Sequence, residues 1–384
     1  MVLRRSGQAG ALGLMSLVAL PSLSLAAPSI PAIYTVRLDA TAPSGGMPMY
    51  QVDAKHSGRS AYAGPRQLVV ARTFDMAAGL QAAPGQNAPR MDIQSSSAVG
   101  ADGTIYIADF PGDLFAISDP GSGSTLSLRW KFHPGGSSLH ATPAVGSDGT
   151  VYLGFSTMAQ GARKATLFAL RAPSSGTDPT VAWSVDLGAG AISSSPTIGP
   201  DGAIYAVNGA GKLFVVGPDG GVRWTAQGGP TLRSAPALGT DGTVFMACTD
   251  GKLYAVAPPS GGGDGSVRWS FDTMANLGPT PLLVKAPPPQ GADGKGMVSS
   301  PTVGPDGTVY LGGANSNFYA VGPDGQMKWL YEAQRELAGI ASTAALSADG
   351  KTLYFGANKG GIYALATADG SLQWRFDIFG SVYN

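Results

Sequence analysis

Residues 300–310, Ser300-Pro301-Thr302-Val303-Gly304-Pro305-Asp306-Gly307-Thr308-Val309-Tyr310, return almost unchanged as Ser195-Pro196-Thr197-Ile198-Gly199-Pro200-Asp201-Gly202-Ala203-Ile204-Tyr205. Self-similarity of this kind marks a repeat architecture. Other copies pass through Asp102-Gly103, Asp148-Gly149, Asp241-Gly242 and Asp349-Gly350, and an aromatic follows each: Tyr106, Tyr152, Phe245 and Tyr354. An apolar-aromatic pair comes next: Leu114-Phe115, Leu167-Phe168, Leu213-Phe214, Leu253-Tyr254, Phe318-Tyr319 and Ile362-Tyr363. Every copy then ends in a tryptophan, and Trp130, Trp183, Trp224, Trp269, Trp329 and Trp374 are all six tryptophans of the chain. Such placement argues for one packing role used six times.

Within a copy the pattern reads as four short strands, A to D, exemplified by Pro301–Gly304, Thr308–Gly312, Phe318–Val321 and Gln326–Tyr331. Asp-Gly joins A to B, and a second turn, as at Asp219-Gly220, Asp264-Gly265, Asp324-Gly325 and Asp369-Gly370, joins C to D. Glycine accepts the positive φ of a tight hairpin and aspartate caps its own turn. Asp102, Asp148, Asp201, Asp241, Asp306 and Asp349 are therefore read as structural rather than as calcium ligands, which would need a ladder of carboxylates. Four-stranded sheets repeated six times with no helix between them predict an all-β propeller, each blade hiding its faces against its neighbours.

Ring closure is less simple. Leu68 to Asp75 resembles a D strand, with Arg72 in the tryptophan's place and no A, B or C of its own, while Asp377 to Asn384 reads as the approach to a further A strand. The expectation is six full blades with an extra N-terminal strand, or an incomplete seventh blade.

Composition agrees with this class. Of 384 residues 43% are apolar, enough for a large core, and 56 Gly with 29 Pro suit many tight turns better than long helices. Lys plus Arg and Asp plus Glu each total 25, so no net field draws the protein to nucleic acid. Arg4 and Arg5 precede an apolar run, Ala11 to Leu20, and a small-residue stretch ending at Ala26-Ala27. That is the order of a secretory signal peptide, and it does not match a twin-arginine signal well. The run is shorter than the roughly 20 residues of a spanning helix, so no transmembrane segment is expected after its removal. The division expected is a signal peptide at 1–27, a lead-in at 28–67 and a propeller at 68–384, in a periplasmic or extracellular monomer. Cys248, the only cysteine, allows no intrachain disulfide, lies too far along the chain to carry a lipid anchor, and reads as filling a strand interior.

In an up-and-down blade the A–B and C–D turns share one face, and the B–C and D–A connections share the other. The second set reads as the variable one, at Ser156–Ala165, Asp272–Val298 and Tyr331–Ile340. Recognition usually resides in variable loops on a rigid scaffold. The candidate binding face thus comprises His133, His140, Arg163, Lys164, Arg233, Lys285, Asn315, Asn317, Glu332, Arg335, Glu336, Asn358 and Lys359. The spacing of Glu332 and Glu336, the only glutamates, suits one helical turn holding an ion pair with Arg335 or a cation, and solvated charge is the simpler reading. His133 and His140 flank a D–A loop but bring no third metal ligand. Residues 278–296 read as a proline-rich surface excursion.

The run from Ser300 to Tyr310, with Phe318-Tyr319-Ala320-Val321 and Lys328-Trp329 after it, resembles the repeat of pyrroloquinoline-quinone-type β-propellers. Met49 to Arg59 resembles the lead-in of many such bacterial proteins, so the likeness runs from about Pro48 to the C-terminus. For the dehydrogenases of that superfamily the resemblance implies eight blades, calcium held by Glu, Asn and Asp, a catalytic Asp and often a disulfide of adjacent cysteines. One cysteine and two glutamates depart from that pattern. The non-catalytic branch, similar to the scaffold propeller of the bacterial outer-membrane assembly machine, implies no cofactor and a protein or cell-envelope partner. The expected function is an exported binding or scaffold propeller and not an enzyme. The alternatives are a dehydrogenase using pyrroloquinoline quinone with calcium and a carbohydrate-binding propeller.

Overall fold

A computed structural model describes residues 33–35, 49, 53–57, 73–75, 93, 95–109, 112–120, 125–137, 141–159, 162–192, 194–230, 234–273, 275, 299–333, 339–357 and 361–377. Two short strands, β1 (Ile33–Thr35) and β2 (Thr73–Asp75), pair with each other. Sheet 1 follows with β3 (Ala98–Val99), β4 (Ile105–Ala108), β5 (Leu114–Ser118) and β6 (Ser127–Phe132). Sheet 2 holds β7 (Gly136–Ser137), β8 (Ala144–Val145), β9 (Val151–Ala159), β10 (Ala162–Arg171) and β11 (Thr180–Ala189). Sheet 3 holds β12 (Thr197–Ile198), β13 (Ile204–Val207), β14 (Lys212–Val216) and β15 (Val222–Gln227). Sheet 4 holds β16 (Ala237–Leu238), β17 (Val244–Ala247), β18 (Lys252–Ala257) and β19 (Ser266–Asp272). Sheet 5 holds β20 (Thr302–Val303), β21 (Val309–Gly312), β22 (Asn317–Val321) and β23 (Met327–Glu332). Sheet 6 holds β24 (Ala345–Leu346), β25 (Thr352–Ala357), β26 (Gly361–Ala366) and β27 (Leu372–Phe376).

Each sheet is an antiparallel A-B-C-D meander, and no helix occurs among the described residues. The protein is thus the all-β propeller expected, with six four-stranded blades, the second carrying β7 of its incoming connection as an added strand. The D-like strand near Arg72 is not alone: β1 lies beside β2 in the place of a C strand, giving a two-stranded fragment of a further blade.

One device recurs in all six blades. The C–D ladder carries a bulge that skips the residue before the tryptophan: Arg129, Ala182, Arg223, Arg268, Lys328 and Gln373. A bulge re-aims a side chain. Here the re-aimed cation reaches the Asp of the A–B turn, with Arg129 2.7 Å from Asp102, Arg268 2.8 Å from Asp241, Lys328 2.9 Å from Asp306, and Arg223 paired with Asp201. The same Asp accepts the backbone N–H two residues on, and a Thr hydroxyl where one is present, as Asp306 does from Thr308 at 3.1 and 2.7 Å. Burial opposes ionisation of Asp306, yet the hydrogen bonds from Thr308 and Lys328 prevail and hold its pKa at about 2. These carboxylates are thus occupied by the N–H and hydroxyl groups of their own turns and, in four blades, by the re-aimed cation.

The tryptophans share a contact within their own blade. In every blade the indole meets the aromatic of its own B strand, Tyr106, Tyr152, Tyr205, Phe245, Tyr310 or Tyr354, at centroid distances of 5.6–6.5 Å. In sheets 2 to 5 it also covers the C–D turn of the next blade. A Cβ added at Gly220, Gly265, Gly325 or Gly370 would fall 2.6–2.8 Å from the indole of Trp183, Trp224, Trp269 or Trp329. Nε1 of Trp183, Trp269 and Trp329 donates to the carbonyl of Pro218, Pro323 and Thr367 at 2.8–2.9 Å. Five apolar clusters join the sheets in sequence order, 1 to 2 through 5 to 6. Phe74 of β2 packs on the outer face of sheet 1, with Val99, Ile105, Ile107, Phe115 and Ile117.

Where the A edges converge, the lead-in threads between them. Carbonyls of Ala54, Lys55 and Ser57 accept from the N–H groups of Leu238, Val303 and Leu346, one in each of sheets 4, 5 and 6. Asp53 shapes this segment, accepting from the N–H groups of Lys55 and Ser57 and from the Ser57 hydroxyl. Neighbouring A edges are also laced directly: Ser96 N–H to Thr142 Oγ1, Thr142 N–H to Ser195 Oγ and Ala235 N–H to Ser300 Oγ, at 2.9–3.1 Å.

Candidate functional site

The B–C connections of four sheets are more regular than the sequence implied, whereas most of 272–298 and 331–340, the proline-rich stretch 278–296 included, lies outside the described residues. In sheets 1, 3, 4 and 5 the B–C link is the same tight turn, closed by Asp109 N–H to Asp113 O, Asn208 to Lys212, Cys248 to Lys252 and Gly313 to Asn317. Cys248 therefore lies at the start of a turn just past β17 rather than inside a strand, and it is fully buried.

Sheet 2 departs from this regularity. Its B, C and D strands run 9, 10 and 10 residues, against 4, 5 and 6 in sheet 1, and the extra length of β9 and β10 lies at the B–C end. The hairpin rises above the common level of the turns. The D–A connection out of sheet 1 pairs with it, Gly136 opposite Thr157 and Ser137 opposite Ser156. Exposed Arg163 and Lys164 stand on this arm, with Lys164 Nζ 3.2 Å from Asp186. The Gly188 N–H, followed by Lys164, holds the Asp186 carboxyl below its ordinary pKa.

At the foot of the arm the B–C turn of sheet 1 makes a charged cluster. Asp113 accepts from Lys131 at 2.7 Å and from His133 Nδ1 at 2.8 Å. The Lys131 ammonium also lies 5.2 Å from the centre of the Phe115 ring. Asp109, 1% exposed, accepts the N–H groups of Gly112 and Asp113, and burial pushes its carboxyl pKa up. His133, Arg163 and Lys164 thus come to one side of the face.

Asn315 and Asn317 turn inward instead. Asn315 Nδ2 donates to the Thr273 carbonyl at 2.9 Å and to Tyr319 Oη at 2.6 Å, and Asn317 is 3% exposed. They tie sheet 5 to the end of β19. Glu332 is the exposed last residue of β23, opposite Asn317, and is in strand rather than the helical turn its spacing suggested. His140, Arg233, Lys285, Arg335, Glu336, Asn358 and Lys359 lie outside the described residues.

The residue that reading by motif passed over is His56, fully buried with φ of 54°. The only signal for it was the Asp53-Ala54-Lys55-His56-Ser57 lead-in itself. Pyrroloquinoline quinone with calcium requires convergent oxygen ligands. Among the described residues no three His, Cys, Asp or Glu side chains converge to hold a metal, and the lead-in fills the space where four A edges meet, so the described residues do not fit that group. No helix of the described residues is long and apolar enough to cross a membrane.

Comparison with known proteins follows the same line. No curated protein matches the chain in sequence. Among solved structures, quinohemoprotein alcohol dehydrogenase from Comamonas testosteroni shares the fold, with a TM-score of 0.57 and 13% identity over 90% of this chain and 76% of that one. BamB from Moraxella catarrhalis aligns with a TM-score of 0.43 and 15% identity over 77% of this chain and 88% of that one. The profile described as outer membrane protein assembly factor BamB matches twice, at residues 163–294 and 264–381. Those two matches span more than half of the chain, which therefore belongs to the BamB family of β-propellers.

Proposed function

We propose that the protein is an exported scaffold propeller of the cell envelope that holds a protein partner on the face of its B–C and D–A connections. Membership of the BamB family supports the scaffold reading and makes an outer-membrane assembly component the partner class to test first. The observation that carries the choice of face is the arm of sheet 2, an extension of three strands beyond the B–C turn that sheets 1, 3, 4 and 5 share. A rigid platform with one raised, charge-bearing edge suits recognition by shape and by strand addition.

Photo-crosslinking in envelope extracts tests this. A benzoyl-phenylalanine in place of Arg163, on the arm, is expected to capture a partner, whereas one in place of Lys351, beside an A–B turn on the opposite face, is not. Equal capture at both positions, or none at Arg163, would remove the basis for this face.

A further inference from the structure

The lead-in meets the blades at one repeated position. Leu238, Val303 and Leu346 are the second residues of β16, β20 and β24, and their N–H groups donate to the carbonyls of Ala54, Lys55 and Ser57 at 2.7–2.8 Å. The segment therefore advances in blade order, from sheet 4 through sheet 5 to sheet 6. Between the last two contacts His56 takes a φ of 54°, a left-handed conformation that a non-glycine residue holds only where its surroundings impose it. They do so through the ring, which lies 3.0 Å from the Pro301 carbonyl oxygen of sheet 5 and 3.2 Å from Thr197 Oγ1 of sheet 3.

The blades themselves are held together by other contacts. In sheets 3, 4, 5 and 6 the ladders from A to D close within each sheet. Neighbouring sheets share apolar clusters, and the Ala235 N–H reaches Ser300 Oγ at 3.0 Å between the A edges of sheets 4 and 5. Withdrawing residues 53–57 would break the three main-chain bonds, the His56 contacts and the packing of Ala54 on the cluster between sheets 3 and 4, and would leave every ladder intact. A segment of that kind opens at a smaller free energy than the fold as a whole.

We propose that residues 53–57 are a latch: they occupy a peptide site built by the A edges of sheets 3 to 6 and leave it as one unit, with the blades still folded, when His56 takes up a proton. Asp53 makes the segment a unit, since its carboxylate accepts the N–H groups of Lys55 and Ser57 at 3.0 and 2.9 Å and the Ser57 hydroxyl. Sheet 5 presents a carbonyl to the ring and sheet 3 a hydroxyl, neither of which titrates near neutrality, while sheets 4 and 6 present the N–H groups of Leu238 and Leu346 to the adjoining residues. Desolvation outweighs the Pro301 hydrogen bond and the charge of Asp53, so the seated ring stays neutral down to a pKa of about 4. A released ring returns to its ordinary value of 6.5, and acid therefore favours release. The latch is separate from the arm of sheet 2, so either proposal can fail alone.

Hydrogen exchange of the full chain, followed residue by residue, tests this. The amides of Leu238, Val303 and Leu346 are expected to exchange together and ahead of the ladder amides of β14, β18 and β22, which are paired on both sides. After correction for intrinsic rates, they are expected to exchange roughly 50-fold faster at pH 4.5 than at pH 7. In His56→Gln, which keeps a neutral side chain at the site, that acid response is expected to fall below about threefold. Asp53→Ala is expected to speed the three amides by about tenfold at pH 7 and to leave the ladder amides unmoved. Exchange of the three amides only together with the ladder amides would overturn the proposal, since release would then be global unfolding. So would a full acid response in His56→Gln, since another group would then drive it.

Discussion

The ring of His56 lies 3.0 Å through Nδ1 from the carbonyl oxygen of Pro301, 245 residues further along the chain. A carbonyl oxygen only accepts, so Nδ1 carries the proton in this pair. Nε2, unprotonated in that tautomer, lies 3.2 Å from Thr197 Oγ1, whose single hydroxyl proton is shared between Nε2 and the Pro236 carbonyl oxygen at 2.7 Å. One side chain of the lead-in thereby joins the A edges of sheets 3 and 5, while its backbone neighbours bond to sheets 4, 5 and 6. Contacts of such sequence separation close large loops, so they add stability only when the blades they join are in place.

This burial makes stability depend on pH in a defined direction. Desolvation outweighs the Pro301 hydrogen bond and the charge of Asp53, and lowers the His56 pKa from 6.5 to about 4. The unfolded chain therefore takes up the proton first as pH falls. The contribution of neutral His56 is complete above pH 6.5 and is lost as pH drops toward 4, a change of roughly 3 kcal/mol for a shift of this size. Urea midpoints at pH 7 and pH 4.5 are expected to differ in the native protein and to differ less in His56→Gln. An unchanged difference in that variant would mean that other groups set the acid limit.

The contact of Trp329 with Gly370 predicts a graded glycine series. At Gly370 (φ 74°) a Cβ would sit 2.6 Å from the indole, whereas at Gly103 (φ 78°) it would meet nothing within 4 Å. Both alanine variants carry the cost of a left-handed backbone, about 1 kcal/mol. Gly370→Ala is expected to lose about 1–3 kcal/mol more through overpacking. Thermal melts of the two variants decide this, and equal losses would contradict the seam geometry.

For the A–B turn, the two partners of the ion pair should be unequal. Lys328 and Asp306 have side chains 43% and 58% exposed, so Lys328→Ala is expected to cost no more than about 1 kcal/mol. Asp306→Ala removes the acceptor of the Thr308 N–H and hydroxyl as well, and a loss of about 1–2 kcal/mol is expected. Because the folded pKa of Asp306 is about 2 against 3.8, its contribution is full above pH 3.8 and disappears as pH falls through 2. Carboxyl chemical shifts followed by NMR across that range measure the midpoint directly.

Cys248 provides a chemical test of the core. Burial pushes its thiol pKa up, and the side chain is fully inaccessible. Iodoacetamide is expected to leave it unmodified at pH 8 in the native protein and to label it once urea unfolds the chain. Rapid labelling without denaturant would show that sheets 3 and 4 part readily.

Much of the site remained hidden in sequence for reasons visible in particular residues. Asn315 and Asn317 have the composition of a surface turn, yet the neighbouring blade supplies a carbonyl at Thr273 that draws Asn315 inward. The pair Glu332 and Glu336 has helical spacing, but β22 holds Glu332 in register as strand. Local spacing has no access to what a blade 40 residues away will place opposite.

The sequence alone determined the blade: the Asp-Gly turn, the alternation of apolar residues and the closing tryptophan are local, and each copy repeats them because each solves the same packing problem. Tertiary structure alone decided that the lead-in runs among the A edges, that β1 and β2 form half a blade, and that sheet 6 leaves Trp374 exposed. Those outcomes depend on contacts between segments far apart in the chain, whose free energy exists only once the sheets stand side by side.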